Sequence, residues 1–233
     1  MRWNMRLLLL SGFVGALMVA ARAQTGFPFQ NELLHYSVNW PSGLSLGEAS
    51  LSANHVSDGW NLEMTLDARI PGFSIADRFR SASDLDQCSQ NFERNIARGS
   101  KKTSEKTTFL SKNGTARRIT ANGGGTTEFS IPTCARDALS FIYYARREMG
   151  QGRVPPPQEV YFGSAYSVRM EYTGAQTITV AGKPCLTDRA VVYLKGPASN
   201  ANVEIFFARD PARTPVLVRV PLSVGTLSMV WAP

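Results

Sequence analysis

Residues that could carry out nucleophilic or acid–base chemistry are few and scattered in this sequence. Its two histidines are His35, on the polar face of a strand pattern, and His55, beside a turn, and both are expected to be solvated. Ser140 stands in Leu-Ser-Phe, not in the Gly-x-Ser-x-Gly turn that exposes a nucleophile. No serine–histidine or cysteine–histidine pair is indicated, so we predict that the protein is not an enzyme.

Carboxylates offer the other route to catalysis. Asp77, Asp84 and Asp86 are close in sequence and could form a pair in space, but structural charge pairing explains them more simply. No cysteine or histidine spacing resembles a metal site. We therefore predict no catalytic residues, no metal and no cofactor.

Three cysteines remain to be explained: Cys88, Cys134 and Cys185. An oxidising compartment favours one disulfide and one free thiol, and three pairings are possible. We predict that Cys88 pairs with Cys134, because these two bracket charge-rich hairpins with weak apolar alternation. Cys185 comes directly after a turn.

A basic stretch lies between Cys88 and Cys134. Only Glu105 opposes its eight cations, which are Arg94, Arg98, Lys101, Lys102, Lys106, Lys112, Arg117 and Arg118. One interpretation is a solvated outer face whose lysines protect sheet edges. The other is a surface that meets anionic lipid or polysaccharide.

One helix is predicted in the mature chain, over residues 137–149. Asp137 suits the N-cap, and Gly150 with the proline run 155–157 ends the helix. At about 100° per residue, one side carries the apolar side chains Ala138, Leu139, Phe141, Ile142, Tyr143, Ala145 and Met149. The opposite side carries Ser140, Tyr144, Arg147 and Glu148.

Arg146 falls within the apolar arc of this helix. Its guanidinium either reaches water at the helix end or is buried against an acid, since it cannot lose its charge. We predict a structural ion pair with Asp77 or Asp84, and next with Asp210.

Most of the remaining chain has the alternation of β-strands. The clearest strand places Trp60, Leu62, Met64 and Leu66 on one face. About a dozen strands joined by short turns favour an antiparallel meander, which must curl or close to remove its edges. The predicted fold is mostly β, a single curled antiparallel sheet or half-open β-barrel, with the helix packed against it.

The start of the chain is typical of a secretory signal peptide. Arg2 and Arg6 precede an apolar run over residues 7–20, and Ala21 and Ala23 suit a peptidase site. We predict a cleaved peptide over 1–23, a single β-rich domain over 24–233, and a periplasmic or secreted location. Cleavage lowers the formal charge from +7 to +4 by removing three arginines, so nucleic acid is not an expected partner, and no further segment is apolar enough to span a membrane.

Several motifs, in order, resemble the bacterial envelope family called domain of unknown function 3108. They are 32–40 (Glu-Leu-Leu-His-Tyr-Ser-Val-Asn-Trp), Gly47-Glu-Ala, Asp77-Arg-Phe-Arg-Ser, 137–146, 207–216 and Gly225. The resemblance covers nearly all of the mature chain. It implies an exported, mostly β protein with one helix and provides no catalytic residues.

Two non-enzymatic functions follow. The first is binding of a lipid-like or other apolar or anionic envelope component, by analogy with periplasmic lipoprotein carriers and other lipid-binding half-barrels, in which a helix packs against the concave side of a curled sheet. The second is an interaction or assembly module of the envelope, which would meet a protein partner through the basic face or a sheet edge.

The signal-peptide prediction can be checked directly. The mature protein should begin at Gln24, because Ala21-Arg-Ala23 places small residues at both positions that the peptidase reads. N-terminal sequencing of protein from the periplasmic fraction tests this. Folded, membrane-inserted protein that retains Met1 would contradict it.

Overall fold

The computed structural model describes residues 31–70, 72–197, 199–222 and 225–233. The predicted signal peptide and its cleavage site lie outside these residues. Within them the structure has fifteen strands and one α-helix. The strands of the first half are β1 (Asn31–Asn39), β2 (Ser45–Val56), β3 (Gly59–Ile70), β4 (Phe73–Asp84), β5 (Ser89–Arg98), β6 (Lys101–Leu110), β7 (Thr115–Thr120) and β8 (Gly125–Ser130). The helix α1 (Ala138–Gly150) lies between β9 (Arg136–Asp137) and β10 (Gln158–Tyr161), and β11 (Ala165–Val180), β12 (Lys183–Lys195), β13 (Asn200–Ala208), β14 (Pro215–Leu222) and β15 (Gly225–Trp231) follow.

All strands belong to one sheet that is not closed into a barrel, as the sequence predicted. Its order runs from β8 back to β1, then from β15 back to β9. Every pairing is antiparallel except the one between β9 and β10, which flank the helix. The sheet curls so strongly that two strands far apart in this order come together: the N–H of Ser89 at the start of β5 donates to the carbonyl of Ala135 beside β9, at 2.8 Å.

The helix packs inside this curl. Leu139 and Tyr143 pack into the core formed by the inner faces of β1–β7, while Phe141, Ala145 and Met149 pack against β10–β13. Contact on both sides explains one wrong expectation from the helical wheel. Ser140 and Glu148, predicted on the polar side, are also buried.

The N-cap prediction is confirmed. The Oδ1 atom of Asp137 accepts from the N–H groups of Leu139 at 2.8 Å and Ser140 at 3.1 Å. These are two of the N–H groups that have no partner inside the helix. The start of α1 is therefore fixed by the residue that the sequence indicated.

Arg146 holds the helix against the sheet through an acid, as predicted, but the acid is Glu32 of β1. The side chain of Arg146 has no solvent exposure. Its Nη1 and Nη2 atoms each donate to a Glu32 oxygen at 2.7 Å, and its Nε donates to the carbonyl of Ala212 at 3.0 Å. The hydroxyl of Tyr143 also donates to Glu32, at 3.1 Å, and burial raises the pKa of this phenol well above its ordinary value, so that it remains a donor. We call Glu32, Tyr143 and Arg146 the buried lock.

The three predicted partners of Arg146 are wrong, since each acid is used elsewhere. Asp77 accepts from Arg98, Asp84 accepts from the backbone N–H groups of Asp86 and Cys88, and Asp210 accepts from Thr214. The helix directs Arg146 toward β1 rather than β4. Alternation identifies the true partner, because Glu32 shares its strand face with the buried residues Leu34 and Tyr36.

The predicted disulfide between Cys88 and Cys134 is confirmed, and Cys185 is a free thiol. Removing the disulfide with Cys88→Ala and Cys134→Ala should lower the free energy of unfolding by about 4 kcal/mol. The two cysteines are 46 residues apart in sequence, and without the bond the unfolded chain gains the conformational entropy of that loop. Urea unfolding measures this. Cys185→Ala is the control, and an equal loss in the control would contradict the prediction.

The buried lock gives a second test of stability. Arg146→Leu should lower the free energy of unfolding by roughly 3–5 kcal/mol, because Glu32 would be left buried without its cation. The control is Arg147→Leu, whose side chain is 21% exposed and should matter far less. In a double variant, Glu32→Met with Arg146→Met, much of the loss should be recovered. Similar melting temperatures for the two single variants would contradict the assignment.

Candidate ligand-binding trough

The helix covers only part of the concave face of the sheet. Glu32, Leu62 and Ser81 lie level with one another on the inner face, through the pairings of β1 to β4. Glu32 and Ser81 contact opposite ends of the helix through Arg146 and Asp137. Ile75 lies six residues before Ser81 on β4, about 20 Å away along an extended strand. The inner face around Ile75 is therefore well beyond the helix.

The part of the inner face that the helix leaves uncovered carries partly exposed apolar side chains. Met64, Leu66, Ile75, Ile96 and Phe162 pack beside the main core without being fully buried. Trp40, Val218 and Trp231 have the same intermediate exposure. We call this concave surface the open trough. The ring of Phe162 lies 5.2 Å from that of Phe79 and 6.0 Å from that of Phe92, which places it between the trough and the packed core.

Two ion pairs line one wall of the open trough. Arg94 donates to Glu105 at 2.6 Å, and its guanidinium carbon lies 5.2 Å from the centre of the Phe162 ring. Gly163 makes room for Arg94, since a Cβ atom there would lie 2.5 Å from its Nη2.

The second pair joins Arg98 to Asp77 at 2.7 Å. The carboxylate of Asp77 is buried, whereas the Arg98 side chain is 49% exposed. Both bonds go to Oδ2, and Oδ1 has no hydrogen-bond partner among the described residues. Asp77 thus orients Arg98 by accepting from its Nε and Nη2 atoms, and the rest of the guanidinium remains at the surface.

The structure does not bring the eight cations of the basic stretch to one surface. Strand alternation directs Arg94, Arg98, Lys101 and Arg118 to the inner face and Lys102, Lys106 and Arg117 to the outer face, while Lys112 lies in a short 3₁₀ turn. Lys106 pairs on the outer face with Glu93, at 2.9 Å. Both interpretations assumed that the eight cations share one surface. That assumption is wrong, and only the inner subset faces the trough side.

Sequence reasoning missed a buried polar cluster at the start of the helix. The Oδ2 atom of Asp137 accepts from Ser81 and Ser89, each at 2.6 Å, and the hydroxyls of Ser89 and Ser140 are 2.8 Å apart. Burial raises the pKa of Asp137, while the two serine hydroxyls oppose that shift. These bonds satisfy the helix cap beside the disulfide, so we assign the cluster a structural role. Ser81 and Ser89 at inward strand positions were the available signal.

Neither histidine belongs to the trough or the polar cluster in the contacts of the described residues. His35 is exposed on β1, and the ring of His55 lies 4.7 Å from that of Trp60. Across the described ranges, no group of three or more histidine, cysteine or acidic side chains is placed to hold a metal ion. Nor does any helix in those ranges have the length and apolar character to cross a membrane.

Comparison with known proteins agrees with this architecture. A crystal structure of a beta-barrel-like protein of domain of unknown function DUF1849 from Brucella abortus superposes with a TM-score of 0.66 at 8% identity, over 88% of this chain and 96% of that one. This likeness concerns the fold alone. No curated protein matches the sequence. The family model described as "Protein of unknown function (DUF3108)" matches residues 35–230, most of the chain, and the protein therefore belongs to the DUF3108 family.

Proposed function

We propose that this protein is a non-enzymatic binding protein of the cell envelope that holds a lipid-like anion in the open trough. The observation that carries the proposal is the row of partly exposed apolar side chains on a concave face, with Arg98 at its wall. Concave apolar surfaces with a few placed polar groups are typical of small-molecule sites. The predicted signal peptide and the disulfide support an exported location.

The apolar part of the ligand follows from the exposed inner face. Leu66, Ile75 and Ile96 occupy the same strand faces as the buried core residues Leu62 and Phe79, yet they remain partly exposed. Burying apolar area is favourable by about 25 cal/mol per Å², so an acyl chain lying on this face would gain free energy with each contact. A polar ligand would leave that surface without a suitable partner.

The anionic part follows from the charges at the wall. Arg98 lies directly opposite Lys101 on the neighbouring strand, and both are exposed. Like charges in this position destabilise a strand pair, and a bound carboxylate or phosphate would relieve the repulsion. Asp77 supports this role, since it fixes Arg98 without covering its outer N–H groups.

An enzymatic role has weaker support. The hydroxyls of Ser81 and Ser89, which donate to the carboxylate of Asp137, and the hydroxyl of Ser140 beside them are all buried. They are used in capping the helix, and none has a histidine partner among the described hydrogen bonds. We therefore propose that the protein binds its ligand and does not catalyse a reaction on it.

A second candidate function is assembly with an envelope protein. Strand β8 is one end of the sheet, and most of its side chains are exposed. Its outer backbone N–H and C=O groups could pair with a strand of another protein. Native purification distinguishes the two functions: a stoichiometric lipid in the organic extract favours carriage, whereas a co-purifying protein with a lipid-free extract favours assembly.

Ligand binding can be tested with the delipidated, oxidised protein and dansyl-labelled undecanoic acid as a fluorescent anionic probe. Ile96→Glu should weaken probe binding at least tenfold, because it places a negative charge in the trough. The matched control is Ala97→Glu, one residue along β5 and on the outer face, which should leave binding unchanged.

Arg98→Gln is a milder second variant that keeps the apolar surface. It should weaken binding of the probe and reduce the dependence of affinity on salt, since one exposed cation is lost. Circular dichroism establishes that each variant is folded. Equal probe affinity in the wild type, Ile96→Glu and Arg98→Gln proteins would overturn the trough as the site.

A further inference from the structure

A second cleft lies at the C-terminal end of the helix, and none of its lining residues belongs to the open trough. Its volume is about 360 Å³. The lining residues are Met149, Gly152, Arg153, Val154, Tyr172, Asp188, Arg209 and Arg213. Three of these eight are arginines, from the loop after the helix and from the loop between β13 and β14. We call this the arginine cleft.

Two acids in this region orient the arginines of the cleft. Asp188 accepts from Arg209 at 2.7 and 2.9 Å through one oxygen, and from Arg213 at 2.5 Å through the other. Glu148 accepts from Arg153 at 2.8 and 3.1 Å. Three guanidinium groups thus converge on this cleft, two of them on the one carboxylate of Asp188. Each guanidinium carries five N–H donors, so these contacts leave donors for a ligand.

Arg213 has a backbone conformation that is unfavourable for its type. Its φ angle is 49°, in the left-handed region that side chains other than glycine rarely adopt. Asp210 maintains this turn by accepting from the N–H and the hydroxyl of Thr214, at 3.0 and 2.6 Å. Strain of this kind persists where the surroundings impose it and is concentrated at ligand sites. Here the left-handed conformation of Arg213 places its guanidinium against the carboxylate of Asp188.

The rest of the structure braces the same loop. Arg146 of the buried lock donates to the carbonyl of Ala212, one residue before Arg213. Asp188, on β12, is only 11% exposed in its side chain, and one guanidinium would suffice to compensate its charge. Two guanidiniums and a hydroxyl donated by Tyr172 at 3.3 Å exceed that need. The arrangement is that of a preorganised set of donors.

One wall of the arginine cleft is apolar. Val154 is 39% exposed and Tyr172 is 48% exposed, and Met149 lies beside them. Such a wall can accept the carbon skeleton next to an anionic group. The backbone carbonyls at the helix end do not compete for the cations, because the N–H groups of Gln151, Gly152 and Arg153 already donate to them.

We propose that the arginine cleft binds a terminal phosphate group, either that of a phosphate monoester or inorganic phosphate itself. A phosphate monoester offers three terminal oxygens and up to two negative charges, which matches several converging guanidiniums better than a carboxylate with two oxygens does. The source is either a free phosphate or the headgroup of a lipid such as phosphatidate. This site is independent of the ligand proposed for the open trough.

The test is titration of the full-length, oxidised mature protein with inorganic phosphate and with dihexanoyl phosphatidate, followed by calorimetry. The wild-type protein should bind both. An affinity for the phosphatidate at least tenfold above that for inorganic phosphate would identify a lipid headgroup, and equal affinities would identify free phosphate. Failure of the wild type to bind either compound at millimolar concentration would overturn the proposal.

Arg213→Gly separates binding from folding. Glycine adopts the φ angle of this position without strain, so the melting temperature should stay equal or rise, while phosphate affinity falls at least tenfold. Arg209→Gln should also weaken phosphate binding. Arg169→Gln, on an exposed arginine that pairs with Glu171, is the control and should bind as the wild type does.

Two results would contradict the assignment. Unchanged phosphate affinity in both Arg213→Gly and Arg209→Gln would show that the cations do not form a site. A lower melting temperature with unchanged affinity would assign Arg213 a purely structural role. The dansyl probe should bind normally to Arg213→Gly, so failure here is distinguishable from failure of the trough proposal.

Discussion

Arg146 carries a permanent charge into the interior, and the position of the helix depends on how that charge is compensated. Removing such an ion from water costs several kcal/mol even after the protein relaxes. The cost is offset by two short bonds to Glu32 and one to the carbonyl of Ala212. These partners come from the first strand and from the loop before β14. The helix, the start of the sheet and that loop are therefore fixed relative to one another by one side chain.

The same arrangement determines which parts of the concave face remain open. The helix runs across the strands, from Ser81 on β4 to Glu32 on β1, so it covers each of them over about its own diameter of 10–12 Å, whereas β3 and β4 have twelve residues each and extend to about 40 Å. The helix thus covers only part of their inner face. Beyond it, Leu66, Ile75 and Ile96 lack the contacts that Leu139 and Tyr143 give to the core. An unfilled concave surface follows because the diameter of one helix is much smaller than the length of the strands that it crosses.

Local patterns predicted the features that depend on local physics. Alternation in β3 predicted its face, Asp137 with Gly150 predicted the helix, and the charge-rich hairpins pointed to the Cys88–Cys134 disulfide. Features that depend on long-range pairing were not predicted. Glu32 meets Arg146 across 114 positions, and β1 pairs with β15 from the other end of the chain. The basic stretch was misread as one surface because the count of cations ignored the period of two that divides them between faces.

Both candidate sites use one device, in which a largely buried carboxylate orients a more exposed guanidinium. Asp77 does this for Arg98 in the open trough, and Asp188 does it for Arg209 and Arg213 in the arginine cleft. A surface arginine without a partner would lose side-chain entropy on binding an anion. An arginine that is already held by an acid has lost that entropy during folding. The acid reduces the net positive charge, so the device favours anions whose charge and shape match the remaining donors. Selectivity at both sites then depends on the buried acid as much as on the exposed cation.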